Sequence, residues 1–163
     1  MIHFRGVERS DLDALFVLDQ QCFRPGIAYS RSDLWFYLNH PRSSSVLAED
    51  QATKSLLGFV IAQKYLEEGR CIGHIITIDV TPSERRKGLG RSLMDSILVL
   101  LAAARVVTVR LEVATDNLAA LAFYRRLGFS ATGKIRGFYM GTIDALVMEK
   151  SLKQADPQTS PLP

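Results

Sequence analysis

Arg85-Arg86-Lys87-Gly88-Leu89-Gly90, followed by Arg91, is the stretch of this chain best suited to hold an anion. A β-branched apolar run, Ile75-Ile76-Thr77-Ile78-Asp79-Val80, leads into it. Thr81-Pro82 ends that run, because proline cannot donate to a strand ladder. Leu89, Leu93, Ile97, Leu98 and Leu101 follow at helical spacing. A strand, a glycine turn and a helix N-terminus in that order turn backbone N–H groups outward at the positive end of a helix dipole. The glycines let a phosphate come close. No Lys-Ser/Thr follows the second glycine, so this is not a Walker loop, and a dinucleotide fingerprint would need a third glycine. The cations around R-x-x-G-x-G suit a diphosphate, although a basic surface turn closing a strand has the same composition.

Glu112 and Tyr124 are the candidates for moving protons. In Val106 to Val113, strand alternation puts Val109, Leu111 and Val113 on one face and Arg110 and Glu112 on the other. Glu112 lies near the C-terminal end of that strand, where ligands gather in open α/β sheets. Its carboxylate can serve as a general base, as a solvated strand residue or as the partner of Arg110; the residues alone leave all three open. Tyr124 falls on a short amphipathic helix, Asn117 to Leu127, closed by Gly128. A phenol with pKa of about 10 can give up a proton to a reacting group or simply pack as a buried aromatic. Cys22 and Cys71 have neither metal nor redox spacing and read as ordinary buried or half-buried thiols. His3, His40 and His74 are scattered, so no metal site is expected.

The elements that position these groups follow from the rest of the chain. At 163 residues it forms one domain able to bury a core without staples. Hydrophobic and charged fractions of 47% and 23% are those of an ordinary globular protein. A net charge of +3 is too small to argue for nucleic acid, and four basic residues between positions 85 and 91 explain it locally. The start of the chain has no signal-peptide pattern, and the longest apolar run, Ile97 to Ala104, is too short for a bilayer. A cytoplasmic protein without membrane contact is expected. Ile2 to Val7 reads as an edge strand, and Glu8 to Asp11 caps a helix through Leu12, Leu15, Phe16, Leu18 and Phe23. After Pro25-Gly26, Ser30 or Ser32 opens a second helix containing Leu34, Trp35, Tyr37 and Leu38. Val46 to Glu49 and Leu57 to Tyr65 form a hairpin; Phe129 to Lys134 and Ala145 to Glu149 are the last strands. Residues 1–152 make the domain, and 153–163, polar and proline-rich, make a disordered tail.

The glycine turn, together with the N-x-x-A-x-x-x-Y-x-x-x-G-F pattern from Asn117 to Phe129, resembles the GNAT N-acetyltransferases. The likeness runs over residues 2–152. It implies a single-domain α/β sandwich with a mixed, mostly antiparallel sheet of about seven strands, about four helices and a central β-turn-α pyrophosphate loop. The L-E-V-x-x-x-N segment and the twelve-residue step from Glu112 to Tyr124 are similar to the RimI-like ribosomal-protein-alanine N-acetyltransferases. That resemblance implies acetyl-CoA as co-substrate without a metal, Glu112 as general base and Tyr124 as general acid. Backbone groups of Ile78, Asp79 and Val80 would pair with the pantetheine arm, as would Asn117. Arg85, Arg86, Lys87, Gly88, Leu89, Gly90 and Arg91 would hold the diphosphate.

The acceptor implied is a protein or peptide N-terminus, a ribosomal protein being one candidate, with Tyr29 and Tyr139 bonding its backbone. A peptide α-amine is roughly one-tenth neutral at pH 7, several hundredfold more than lysine, so a glutamate is the more adequate base for it. Phe23, Ile27 and Met140 suggest a pocket for a small or apolar first residue. A lysine side chain, a small amine, and a non-catalytic acetyl-CoA-binding module are the alternatives.

Overall fold

Alternation along the strands builds two cores, one on each face of a single sheet. The computed structural model describes residues 1–153; the tail expected over 153–163 lies outside them except for Lys153. The strands are β1 (Ile2–Arg5), β2 (Ser43–Asp50), β3 (Leu56–Glu67), β4 (Arg70–Val80), β5 (Thr108–Ala114), β6 (Ser130–Tyr139) and β7 (Ile143–Ser151). Their spatial order is β1-β2-β3-β4-β5-β7-β6, and only β4 and β5 run parallel. The helices are α1 (Leu12–Cys22), α2 (Arg31–Asn39), α3 (Leu89–Ala103) and α4 (Leu118–Arg126). Leu47, Phe59 and Ile61 face α1 and α2, where Leu15, Leu18 and Leu34 meet them. Val46, Val60, Ala62, Val109, Leu111 and Val113 face the other way, onto Leu93, Ile97 and Leu101 of α3 and Leu121 of α4. Each fully buried leucine contributes roughly 1.5–3 kcal/mol. This is the expected α/β sandwich, with seven strands and four helices among the described residues.

Several boundaries move. The central strand begins at Arg70, five residues before the apolar run, because Glu68 and Gly69 make a tight hairpin with φ of 50° and 76°. The expected cap of the second helix is Ser30, whose hydroxyl accepts from Asp33 N–H at 3.1 Å. The last hairpin is longer than the sequence pattern indicates, with β6 reaching Tyr139.

Two irregularities in β4 matter for the site. Against β3, Ile61 pairs with Thr77 but Ala62 pairs with Ile75, so Ile76 is an extra, bulged residue. A bulge reverses the faces beyond it. Ile75, Ile78 and Val80 accordingly all pack on the α3 side, while Ile76 packs on the α1 side and Thr77 and Asp79 are buried. Against β5, only Ile72 to His74 pair, with Thr108 to Arg110. Beyond that point the strands part, and β5 goes on pairing with β7 as far as Ala114. No helix among the described residues is long and apolar enough to cross a membrane.

Candidate active site

Glu112 stands two residues past the last β4–β5 pair, where the strands diverge. Its Oε2 lies 2.5 Å from His74 Nε2, and the carboxylate is mostly shielded from solvent. Arg110 is not its partner. That guanidinium donates to both carboxylate oxygens of Glu67, at 2.9 and 2.8 Å, and to the Tyr65 hydroxyl at 2.7 Å. Of the three readings open for Glu112, the ion pair with Arg110 is therefore removed.

Two tyrosines seat on the two diverging strands. Tyr29, from the loop between α1 and α2, donates its hydroxyl to the Ile76 carbonyl at 3.2 Å, the bulged residue of β4. Tyr139, from the end of β6, donates to the Glu112 carbonyl on β5 at 3.3 Å. Burial raises both phenols, Tyr139 to about 12, and Glu112's charge pushes both the same way. The loops themselves meet, since Gly26 leaves the room that the Met140 thioether fills. Phe23 and Ile27 are half-buried, whereas Met140 is largely exposed.

Tyr124 sits on α4 with its ring edge-on to Phe129, centroids 5.9 Å apart. Burial pushes its phenol well above the ordinary value, with smaller contributions from Tyr139 and Asp79 nearby. It therefore keeps its proton throughout the physiological range. Phe123, its neighbour, is what brings α4 to the glycine turn: a Cβ on Gly90 would lie 3.3 Å from the Phe123 ring. Gly88 does different work. It caps α3 at φ 88° with open space around it, and Arg86 also has positive φ, at 62°. Consecutive left-handed and right-handed residues form an anion-binding concavity, and no side chain caps the first turn of α3.

Not every cation points into that concavity. Arg85 turns back, donating Nε–H to the Val80 carbonyl at 3.1 Å and reaching Cys22 Sγ at 3.5 Å. Lys87 lies 3.4 Å from Glu84, and Arg91 lies 3.9 Å from Asp95 on the exposed helix surface. Asn117 caps α4, its Oδ1 accepting from Ala120 N–H at 3.2 Å, which leaves the amide NH2 for a ligand. A diphosphate and an extended amide arm fit this chain: the open α3 N-terminus suits the first, and the unpaired edge of β4 from Ile75 to Val80 suits the second. No group of side chains among the described residues is arranged for a metal.

His74 is the residue that sequence reasoning passed over. It was one of three scattered histidines, and its partner is 38 positions away on the far side of a crossover. Asp19 is another: it lies buried against the central strand and accepts the Tyr29 N–H at 2.6 Å.

Comparison with known proteins agrees with this construction. The Acetyltransferase (GNAT) family matches residues 12–129. The chain is 31% identical over 145 residues to the ribosomal protein bS18-alanine N-acetyltransferase of Salmonella typhimurium, covering 85% of this chain and 90% of that protein. Among solved structures, the ribosomal-protein-S18-alanine N-acetyltransferase of Escherichia coli superposes with a TM-score of 0.82 at 27% identity, over 98% of this chain and 99% of that one. Arabidopsis thaliana NAA60 in complex with acetyl-CoA shares the fold at a TM-score of 0.83 and 23% identity, over 93% and 99% of the two chains. The glycine turn, the parted strands and the matched length lead to one assignment: this chain belongs to the GNAT acetyltransferase family and is an N-acetyltransferase.

Proposed function

We propose that the protein acetylates the N-terminal α-amine of a protein or peptide, with acetyl-CoA as donor, Glu112 as general base and Tyr124 as general acid. The observation that carries this reading is the pair of tyrosines on the parted strands, Tyr29 on Ile76 and Tyr139 on Glu112. They frame an approach to Glu112 from the side of the two acceptor loops, and hydroxyls placed there can bond the first peptide groups. The bS18-alanine enzymes, which match nearly the whole chain, are named for the same kind of acceptor.

Acetyl-CoA supplies an acetyl thioester. Glu112 takes the proton that the amine sheds as the C–N bond forms. The amide N–H of Ile78 or Val80, turned away from β3 towards the edge left unpaired by β5, serves as donor where negative charge grows on the carbonyl oxygen. Tyr124 gives its proton to the sulfur as the C–S bond breaks. The proton held by Glu112 restores the phenol through solvent, so amine and thioester become amide and thiol with no proton left over. Asn117 and the Arg86–Gly90 turn hold the coenzyme in place, with Lys87 and Arg91 adding charge.

Two measurements test this. Short peptides with free or blocked N-termini, all containing lysine, would be incubated with acetyl-CoA and the acetyl group located by mass spectrometry. Acetyl confined to free α-amines is expected; acetyl on lysine side chains would overturn the choice of acceptor. Glu112→Gln should lower kcat by about 10²–10⁴-fold while coenzyme affinity stays within experimental error. Normal turnover in that variant would remove Glu112 from the mechanism.

A further inference from the structure

Two aspartates whose side chains no step above uses lie in the interior, Asp19 of α1 at 0% exposure and Asp79 of β4 at 1%. Each accepts one short hydrogen bond: Tyr29 N–H to Asp19 Oδ2 at 2.6 Å, and the Thr77 hydroxyl to Asp79 Oδ1 at 2.6 Å. The two remaining oxygens, Asp19 Oδ1 and Asp79 Oδ2, meet no N–H or O–H donor among the described residues. The two side chains come from facing elements: Cys22, one turn beyond Asp19 on α1, reaches the carbonyl of Val80, the residue after Asp79, at 3.6 Å, and the two carboxyl groups act on one another. This meeting depends on the bulge at Ile76, which sends Thr77 and Asp79 to the α1 face while Ile78 and Val80 pack against α3.

Two neighbouring ionised carboxylates cannot share a dry site, whereas one proton between them gives every oxygen a partner. We propose that Asp19 and Asp79 share a single proton and act as positioning residues for Tyr29, clasping α1 and the acceptor loop to the bulged strand. The role given to Tyr29 rests on the peptide reading above; the shared proton does not. The clasp closes a ring of contacts. Asp79 is on β4, Asp19 on α1, the Tyr29 backbone bonds Asp19, and the Tyr29 hydroxyl returns to β4 at Ile76.

The surroundings agree with a proton held there. From α1 the Cys22 thiol faces the pair, itself pushed up by burial and by Asp79. The loop contributes the Tyr29 phenol, and α4 contributes the Tyr124 phenol, both also raised. Arg85 is the cation that acts on Asp79, and its effect is smaller than that of burial and of Asp19. Burial raises both carboxyls, Asp79 most, so the folded chain binds more protons than the unfolded chain above the ordinary carboxyl pKa. Stability should then fall as pH rises through the window between that ordinary value, near 3.9, and the raised folded value.

The test compares wild type with Asp19→Asn, whose amide can keep the Tyr29 N–H bond and supply an N–H to Asp79 in place of the proton. Thermal midpoints would be recorded from pH 5 to 9 without coenzyme. The midpoint of the variant relative to wild type should climb with pH by about 3 °C per pH unit inside the window. Infrared spectra at pH 7 should show a protonated carboxyl band in wild type that both Asp19→Asn and Asp79→Asn lack. A constant difference in midpoint, or no such band in wild type, would overturn the shared proton. For positioning, Asp19→Ala should raise peptide KM at least tenfold with kcat less affected, and Asp19→Asn should restore it. Equal KM in Asp19→Ala and wild type would refute that role. If wild type fails to acetylate any peptide, the peptide reading falls, while midpoints and infrared spectra still decide the proton.

Discussion

Glu112 has one carboxylate oxygen held by His74 and the other without a donor among the described residues. A carboxylate whose orientation is set by a neighbour would, in the proposed role of base, lose less freedom on meeting its substrate, and a hydrogen bond to a charged group is worth about 1.5–3 kcal/mol. His74→Phe should therefore slow kcat by about ten- to a hundredfold while leaving peptide KM and coenzyme affinity near wild type, with His74→Gln recovering part of the loss. Steady-state kinetics with a peptide accepted by wild type checks this, and a fall in coenzyme affinity instead would make His74 a packing residue. Glu112 and Tyr124 stand out in the sequence because they sit inside one continuous motif, and their proposed roles await the kinetics above. His74 was not, since a parallel neighbour across a helical crossover leaves no periodic trace, and a lone histidine in an apolar strand looks like any other core residue. The same holds for Asp79, which the sequence offered only for its backbone.

The strands and helices themselves were readable from alternation and caps. What the pattern could not place was the bulge. Ile75, Ile76 and Ile78 are interchangeable to a period-two count, so nothing distinguishes the extra residue, and yet that residue decides which side chains face α1. The glycine turn shows the converse: both glycines were found, but their separate duties came only with φ at Gly88 and the contact of Gly90 with Phe123. Overpacking that contact should displace α4. Gly90→Val is expected to lower stability by about 1–3 kcal/mol and to slow turnover through Tyr124. Phe123→Ala in the same chain should relieve a part of the loss beyond additivity. Denaturant unfolding of the four proteins of this cycle measures both statements, and strict additivity would mean that the two residues do not touch in solution.

At the level of the whole molecule, the sandwich could be anticipated from one βα crossover flanked by hairpins, although the insertion of β7 between β5 and β6 has no local signature. The parting of β4 from β5 has a consequence for how the fold opens. β1 to β4 come from the first 80 residues and β5 to β7 from 108 onward, so each half of the sheet is contiguous in sequence. Three register pairs, the shared α3-side core and a few side-chain bonds, those of Arg110 to Glu67 and Tyr65 and of His74 to Glu112, join them. Segments that are locally wired but thinly bridged tend to open as separate cooperative units. Amide hydrogen exchange under native conditions should thus resolve two levels of protection, one for β2–β4 with α3 and one for β5–β7. A ligand lying along the free β4 edge would lift the lower level towards the higher by mass action, so that a coenzyme bound as proposed would serve the apparent cooperativity of the chain much as a missing strand would.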